Sequence, residues 1–354
     1  MSAKNKKVLQ TLNPKKIWIP AVISLAFVAY MIITNDDFSP EKLSLIFQAD
    51  SLPLFLAGAT LVIKELAYIY RIKFLSGNQL SFTASTYIIM LWEFASAVTP
   101  SVVGGTPVAV FLLMKEGISV GKSLALAMVT AIFDNLYLVI LGPVIYLFYR
   151  EDLFNFIDSD SFERSLPTVF GISYSLIVAY TAVMIFAVFF KPRLFKWILI
   201  KITSIRPLRK WRYSAYQYGN EILVSSNELR GKNFKYFWQI TYTTFISWTA
   251  RFALLNFMIE AYIHLSIGDH FLSFSKHIVL WVMMLVSPTP GSSGAAELGF
   301  SALFQSSLEE FTAGITLMWR TFSYYPFLII GAFVIPRWVN RIYFKKKSKS
   351  DESH

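Results

Sequence analysis

The sequence places charged and amide side chains inside stretches that are otherwise apolar, where they could bind a polar ligand. The set considered for substrate binding is Lys64, Arg71, Glu93, Asp134, Asn135, Arg251, Glu297 and Arg320. Lys64 and Arg71 are seven residues apart and therefore share one face of a helix. Charges at membrane depth are costly and usually face a partner or a cavity. Because acids and bases occur together, the set suits a zwitterionic or amphiphilic ligand better than a bare ion. Internal ion pairing for assembly is the alternative.

Two groups of prolines and glycines interrupt the apolar stretches that carry these charges. The first group is Thr99, Pro100, Gly104, Gly105, Thr106 and Pro107, and the second is Pro288, Pro290, Gly291 and Gly294. Proline lacks an N–H and glycine tolerates unusual backbone angles, so a helix is expected to break at each group. In lipid, irregular backbone is tolerated only inside protein or beside a watery cavity. We therefore expect both breaks to line a polar interior, with packing kinks as the alternative.

Each break is followed by residues that could begin a half-helix. Gly294 to Glu297 and Thr106–Pro107 have the composition of such a start. The N-terminus of a helix binds anions such as phosphate. Glu297 is then a candidate headgroup contact. Its carboxylate would compete with a phosphate for the same helix dipole, unless the ligand also carries a positive charge.

The composition indicates what kind of elements must position these residues. Of 354 residues, 55% are hydrophobic and 16% are charged, and the mean hydropathy is +0.50. A soluble domain has about 25% charged residues, and runs of about twenty apolar residues can cross a bilayer core. We predict an all-α polytopic membrane protein that forms a single integral membrane domain over residues 1–354. The absence of cysteine excludes disulfides and thiolate metal sites.

The distribution of charge predicts the topology. The net charge is +11, but basic segments alternate with acidic ones along the chain, as the positive-inside rule requires, so nucleic-acid binding is not expected. The alternation places both termini in the cytoplasm. The predicted full crossings are six: 17–34, 52–75, 120–149, 168–190, 236–265 and 312–336.

Two further apolar regions do not fit as full crossings. Region 84–114 has basic flanks on both sides and region 277–308 has acidic flanks, so each chain segment must return to the face that it entered. We predict two re-entrant hairpins that enter from opposite faces. Both breaks contain the spacing P-x-x-x-G, which suggests an inverted repeat of the units 52–149 and 236–336.

The longest basic segment, 191–235, carries eleven Lys or Arg residues against two Glu. Its stretch LFKWILIKI, 194–202, is either a helix lying on an anionic inner leaflet or a basic loop. Forty-five residues are too few for a typical catalytic domain. No phosphate-binding loop, nucleophile motif or metal-ligand spacing was found, so we expect no enzymatic activity, no cofactor and no metal.

The chain resembles the lysylphosphatidylglycerol synthase transmembrane-region family, the membrane part of bacterial aminoacyl-phosphatidylglycerol synthases, which also occurs as stand-alone proteins. The likeness is carried by TPSVVGGTPVAVFLLMKEGIS (99–119), AIFDNLYLVILG (131–142), PTPGSSGAAELG (288–299) and MWRTFSYYPFLIIG (318–331). Glu297 matches the family's glutamate after the second break, and Arg320 matches an arginine of the last conserved helix. Ala296 stands where many members carry Arg, and Asp134–Asn135 where many carry Glu-Arg.

The resemblance implies lipid translocation without lipid synthesis, because no synthase domain is seen in this sequence. The expected partners are a membrane phospholipid and the anionic inner leaflet, and the expected location is the bacterial cytoplasmic membrane. A homo-oligomer is left open. The alternatives are a membrane-embedded enzyme that acts on a lipid-linked substrate and a small-solute transporter.

Overall fold

The computed structural model describes residues 45–99, 105–154, 165–289 and 291–344, and every regular element in them is helical. The first helices are α1 (Ser51–Leu75), α2 (Phe82–Val98), α3 (Gly105–Lys115), α4 (Val120–Phe154), α5 (Leu166–Ile185) and α6 (Pro192–Ile202). They are followed by α7 (Arg212–Leu229), α8 (Phe234–Glu260), α9 (Ile267–Met284), α10 (Ala295–Leu308), α11 (Thr312–Ser323) and α12 (Tyr325–Val339). The all-α prediction is confirmed.

Several of these helices are long and apolar enough to cross a membrane. Three such segments are Ser51–Leu75, Val120–Leu153 and Leu166–Phe190, which coincide with predicted crossings. The fourth, Ala295–Ile342, is the succession of α10, α11 and α12. Helix α8 covers the predicted crossing 236–265 and is 27 residues long, about 40 Å at 1.5 Å per residue. The predicted crossing 17–34 lies outside the described residues.

The first predicted hairpin corresponds to α2 and α3, which pack against each other. At 17 and 11 residues they measure about 25 and 17 Å, less than the thickness of a bilayer core. Helix α2 ends at Thr99, whose backbone is extended, and α3 begins at Gly105 with Thr106 and Pro107 in its first turn. Pro100 and Gly104 lie outside the described residues.

The second predicted hairpin corresponds to α9 and α10, but it begins ten residues earlier than position 277. Ser266 caps α9, and its backbone N–H donates to the Asp269 carboxylate at 3.1 Å. Asp269, the acidic flank before the region 277–308, lies in the first turn of α9, where a carboxylate stabilises the positive end of a helix. The loop between the helices holds Gly291 and Gly294 at φ of +58° and +89°, and it also contains Pro288, while Pro290 is outside the described residues.

The predicted crossing 312–336 is divided into two helices. The segment consists of α11 and α12, which meet at Tyr324 with φ −128° and ψ −57°. Pro326 lies in the first turn of α12, and a proline cannot donate the backbone hydrogen bond that would continue the preceding helix. The break falls four residues after Arg320.

The basic segment 191–235 is helical rather than an irregular loop. Helix α6 has no buried residue along its described length, and α7 packs against both α6 and α4. Lys196 Nζ donates to Asn220 Oδ1 at 2.7 Å, which joins α6 to α7. Large apolar side chains, including Trp197 and Trp211, are exposed beside the cations.

Each hairpin packs into its own apolar core. One core surrounds α2 and α3 and includes Phe94, Leu112 and Trp338; the other surrounds α8 to α11 and includes Phe252 and Phe300. A small cluster of Ala97, Tyr324, Phe327 and Leu328 lies at the hairpin tips. The two hairpins therefore form two packed bodies that meet near the helix breaks.

The contact between α12 and α2 depends on a glycine. A methyl group on Gly331 would overlap the ring of Phe94. We expect Gly331→Ala to lower the unfolding free energy by about 1–3 kcal/mol, because overpacking displaces side chains. The measurement is thermal unfolding of the detergent-purified protein. Gly171→Ala in α5 is the control, since its methyl group meets open space and alanine favours a helix. Equal melting temperatures for the two variants would contradict this packing.

Candidate functional site

A cavity of about 450 Å³ lies where the two hairpins meet. Six of the eight residues proposed for binding line its wall: Arg71, Glu93, Asp134, Asn135, Arg251 and Arg320. Residues of both breaks also line it, among them Thr99, Thr106 and Gly291. Lys64 and Glu297 lie behind the wall. The structure therefore assembles residues that are up to 249 positions apart in the chain, between Arg71 and Arg320, into one polar chamber.

The first charged group of the wall joins α1, α4 and α8. Arg71 binds Asp134 in a bidentate manner, with Nη1 to Oδ1 at 2.6 Å and Nη2 to Oδ2 at 3.1 Å. Arg71 also donates to Thr244 Oγ1 at 2.8 Å, and Trp248 Nε1 donates to Asp134 Oδ1 at 2.9 Å. Bidentate, charge-assisted pairs are strong and fix orientation. Asp134 remains partly open to the cavity, with its side chain 20% exposed.

The second charged group joins α1, α2 and α8 around Glu93. Glu93 Oε1 lies 3.1 Å from Arg251 Nη2 and 3.4 Å from Lys64 Nζ, and Lys64 also pairs with Glu65 at 2.7 Å. Arg251 Nη2 donates to the Tyr68 hydroxyl at 3.3 Å. Two cations thus face two carboxylates. Buried charges are therefore paired here, and one of them, Glu65, is not among the residues predicted to bind a ligand.

The third charged group, Glu297 and Arg320, supports the break of the second hairpin. Arg320 Nε lies 2.9 Å from Glu297 Oε1, and both side chains are at most 3% exposed. The Gly294 N–H donates to Glu297 Oε2 at 2.7 Å, so the glutamate caps its own helix. Arg320 Nη2 donates to the Gly291 carbonyl oxygen at 3.1 Å. The start of α10, predicted to be an anion site, is therefore already bound by a carboxylate of the same chain.

The charges of these three groups balance. Among the described residues, the cations are Lys64, Arg71, Arg251 and Arg320, and the carboxylates are Glu65, Glu93, Asp134 and Glu297. Four positive charges face four negative charges. A bare ion of either sign would leave the chamber with a net charge in a medium of low dielectric constant, whereas a zwitterionic group would not.

Helix α5 forms an apolar side of the cavity that the charge pattern did not reveal. Ser173, Leu176, Ile177 and Tyr180 line the cavity. Leu176 and Tyr180 are nevertheless 55% and 41% exposed, and only 28% of the apolar span Leu166–Phe190 is buried. The chamber therefore borders the outer surface of the helix bundle along α5. No residue of α5 is ionisable except tyrosine, and neither its composition nor its spacing distinguishes this wall from any lipid-facing helix.

Tryptophan residues of the hairpins form another part of the wall. Trp92 of α2 and Trp281 of α9 both line the cavity, as does Trp248 of α8. Trp92 precedes Pro100 by eight residues and Trp281 precedes Pro290 by nine. This similar offset is a signal in the sequence for a shared environment. The guanidinium of Arg251 lies over the Trp281 ring at 4.6 Å and over the Trp248 ring at 5.2 Å.

Tyr324 connects the two hairpin tips. Its hydroxyl donates to the Ala97 carbonyl oxygen at 3.4 Å, and the Arg320 guanidinium lies 4.2 Å from its ring centre. Its ring also lies against Gly291, where a methyl group would overlap it. Tyr324 thus contacts the end of α2 and the loop before α10 at once.

Among the described residues, no group of three or more His, Cys, Asp or Glu side chains could hold a metal ion.

The contact between Gly291 and Tyr324 gives a prediction about the tip. We expect Gly291→Ala to destabilise the protein by about 2–4 kcal/mol, from backbone strain at positive φ together with overlap on the ring. Gly231→Ala is the matched control, because Gly231 also has positive φ (+81°) but open space around it. Thermal unfolding in detergent measures both. Tyr324→Ala should relieve part of the loss in the double variant, and additive effects would contradict a direct contact.

Comparison with known proteins agrees with this architecture. The family model for the lysylphosphatidylglycerol synthase transmembrane region matches residues 17–331, well over half of the chain. A membrane protein of Archaeoglobus fulgidus, named UPF0104 membrane protein, is 28% identical over 333 residues, which cover 89% of this chain and 94% of the archaeal protein. With its several membrane-length apolar helices, the chain is a multi-pass membrane protein. It belongs to the lysylphosphatidylglycerol synthase transmembrane-region family.

Proposed function

We propose that the protein moves a phospholipid or a similar amphiphilic lipid between the two leaflets of the membrane. The observation that carries this proposal is the composition of the cavity wall. Buried ion pairs line one side, and the other side is apolar and borders the outer surface along α5. A headgroup needs polar partners and acyl chains need an apolar path, and this chamber offers both.

In the proposed mechanism, the headgroup enters the chamber between the hairpins while its acyl chains remain beside α5. Arg71, Asp134 and Arg251 are preorganised by their pairs, so exchanging a pair contact for a headgroup contact changes few side-chain orientations. Arg320 in the wall and Glu297 behind it hold the loop of the second hairpin in place. No ATP-binding motif was found in the sequence, so a gradient or mass action would drive the movement.

Family membership supports this proposal. The membrane regions that give the family its name accompany synthases of an aminoacyl phospholipid, and a lipid substrate fits a chamber bordered by the bundle surface. We propose the bacterial cytoplasmic membrane as the location. A small-solute transporter would instead need an aqueous path that excludes lipid tails, and the exposed apolar residues Leu176 and Tyr180 do not favour one.

The test is reconstitution in liposomes that contain a fluorescent phospholipid, with external quenching as the readout of transfer. We expect Asp134→Asn to slow transfer about tenfold or more, because Arg71 loses the charge that orients it. Glu151→Gln on the same helix is the control, since Glu151 forms only an exposed pair with Arg150. The double variant Arg71→Gln/Asp134→Asn removes both charges and leaves no unpaired buried charge. Slow transfer in this folded variant would therefore reflect the loss of the pair and not misfolding.

The function would be refuted if the unmodified protein transferred lipid no faster than protein-free liposomes do. Transfer that is unchanged in Asp134→Asn would refute the role of this pair. Chemical conversion of the lipid during the assay, measured by chromatography, would support the membrane-enzyme alternative instead.

We also propose that the exposed face of α6, α7 and the turn Arg206–Trp211 lies on an anionic inner leaflet. Exposed cations stand beside exposed Trp197 and Trp211, the combination typical of interfacial helices. We expect Arg206→Gln/Arg209→Gln/Lys210→Gln to reduce the anionic lipid that is retained in purification. Retention of zwitterionic lipid serves as the control, and equal loss of both lipids would contradict an electrostatic contact.

A further inference from the structure

Three cavity-lining side chains carry a buried N–H group without a hydrogen-bond partner among the described residues: Arg251 Nε, Trp281 Nε1 and Arg320 Nε. Arg320 Nε nevertheless faces Glu297 Oε1 at 2.9 Å, which leaves Arg251 Nε and Trp281 Nε1. Both side chains line the cavity, and the guanidinium lies over the indole ring at 4.6 Å, so the two donors belong to one contact on the wall. A buried donor without a partner costs about 1–3 kcal/mol, and such groups in a native protein require an explanation.

The other cations of the cavity are committed to partners of their own. Arg71 binds both oxygens of Asp134, and Arg320 binds Glu297 and the Gly291 carbonyl oxygen. Arg251 differs, because the carboxylate that it faces, Glu93 Oε1, is shared with Lys64. Its side chain is still 16% exposed. Of the cavity cations described, Arg251 is thus the one that combines a shared counter-charge, an unused donor and access to the chamber.

The place first expected to hold an anion is not open to one. The N–H of Gly294 at the start of α10 donates to the Glu297 carboxylate at 2.7 Å. A phosphate there would meet a buried negative charge at close range. The anionic part of a ligand is therefore better placed elsewhere on the wall, at a position where donors are free.

We propose that Arg251 and Trp281 form a subsite for a phosphate oxygen. A guanidinium and an indole N–H both donate hydrogen bonds, and neither can accept one, so together they select an acceptor over a donor. The Arg251 guanidinium also lies against the rings of Trp248 and Tyr68, and a hydrogen bond to an anion is stronger beside such apolar surfaces than in water. Binding requires the indole to turn its buried N–H toward the cavity. The subsite rests on the proposed function, because it gives the headgroup phosphate a binding position on the cavity wall. Free phosphate would accept hydrogen bonds from the same donors.

The experiment measures binding and does not require translocation. The full-length protein in detergent is titrated with a fluorescent short-chain phosphatidylcholine and, separately, with the diacylglycerol of the same chains, which lacks the phosphate. Trp281→Phe removes one N–H and keeps an aromatic ring. Trp338→Phe is the matched control, because its indole N–H donates to Glu116 outside the cavity. Arg251→Lys keeps the charge opposite Glu93 and removes the ε N–H.

We expect Trp281→Phe and Arg251→Lys each to weaken phosphatidylcholine binding about tenfold, the effect of losing a hydrogen bond to a charged acceptor. Diacylglycerol binding should not change, and Trp338→Phe should change neither. Unaltered phosphatidylcholine binding in Trp281→Phe, or an equal loss for both ligands, would overturn the subsite. A third arm adds inorganic phosphate as a competitor of phosphatidylcholine. If phosphate competes in the unmodified protein but not in Trp281→Phe, the subsite also binds free phosphate. If phosphate does not compete, the subsite is specific to the lipid headgroup.

The subsite and the proposed function fail separately. If the protein transfers lipid but Trp281→Phe does not weaken phosphatidylcholine binding relative to diacylglycerol binding, the proposed function stands and the subsite is refuted. If Trp281→Phe weakens phosphatidylcholine binding alone but the unmodified protein transfers no lipid, the subsite stands and the proposed function is refuted.

Discussion

The buried pair between Glu297 and Arg320 is the interaction on which the cavity depends. Irregular backbone at membrane depth is tolerated only when its polar groups are satisfied inside the protein. Glu297 accepts the Gly294 N–H and faces Arg320, and Arg320 in turn donates to the Gly291 carbonyl oxygen. Two side chains therefore satisfy two backbone polar groups of the loop that separates α9 from α10. Removing either one would leave an uncompensated charge in a dry interior, which is far more costly than losing an exposed pair.

The position of Arg320 depends on a second break. Helix α11 stops at Ser323, and α12 starts at Tyr325 with Pro326 in its first turn. Tyr324 at this junction reaches Ala97 at the end of the first hairpin and packs against Gly291 in the second. The two hairpin tips are thus held by one aromatic residue beside one ion pair. The chamber lies next to this point of contact, because backbone breaks on both sides prevent the helices from closing over it.

The charge balance of the chamber connects its stability with its proposed use. Four cations face four carboxylates in the part of the chain that the structure describes. Such buried pairs contribute little net stability compared with apolar packing, so their presence is better explained by a ligand than by folding. The pairs also keep the chamber polar without a net charge. Beside them, α5 supplies an apolar border, which is what an amphiphilic ligand would need.

The sequence by itself determined the helical class, the two breaks and most of the charged residues of the wall. Hydrophobic length, proline and glycine chemistry and the cost of buried charge act locally, so the sequence carries them directly. It misplaced the start of α9, because the acidic Asp269 was expected to precede the hairpin and instead lies in the first turn of that helix. It also missed the break at Tyr324. Only the tertiary structure decided that Glu297 lies behind the wall, that α5 borders the chamber, and that Arg251 and Trp281 keep donors free. Those facts depend on contacts between residues far apart in the chain, and no local pattern encodes which partner a buried side chain will meet.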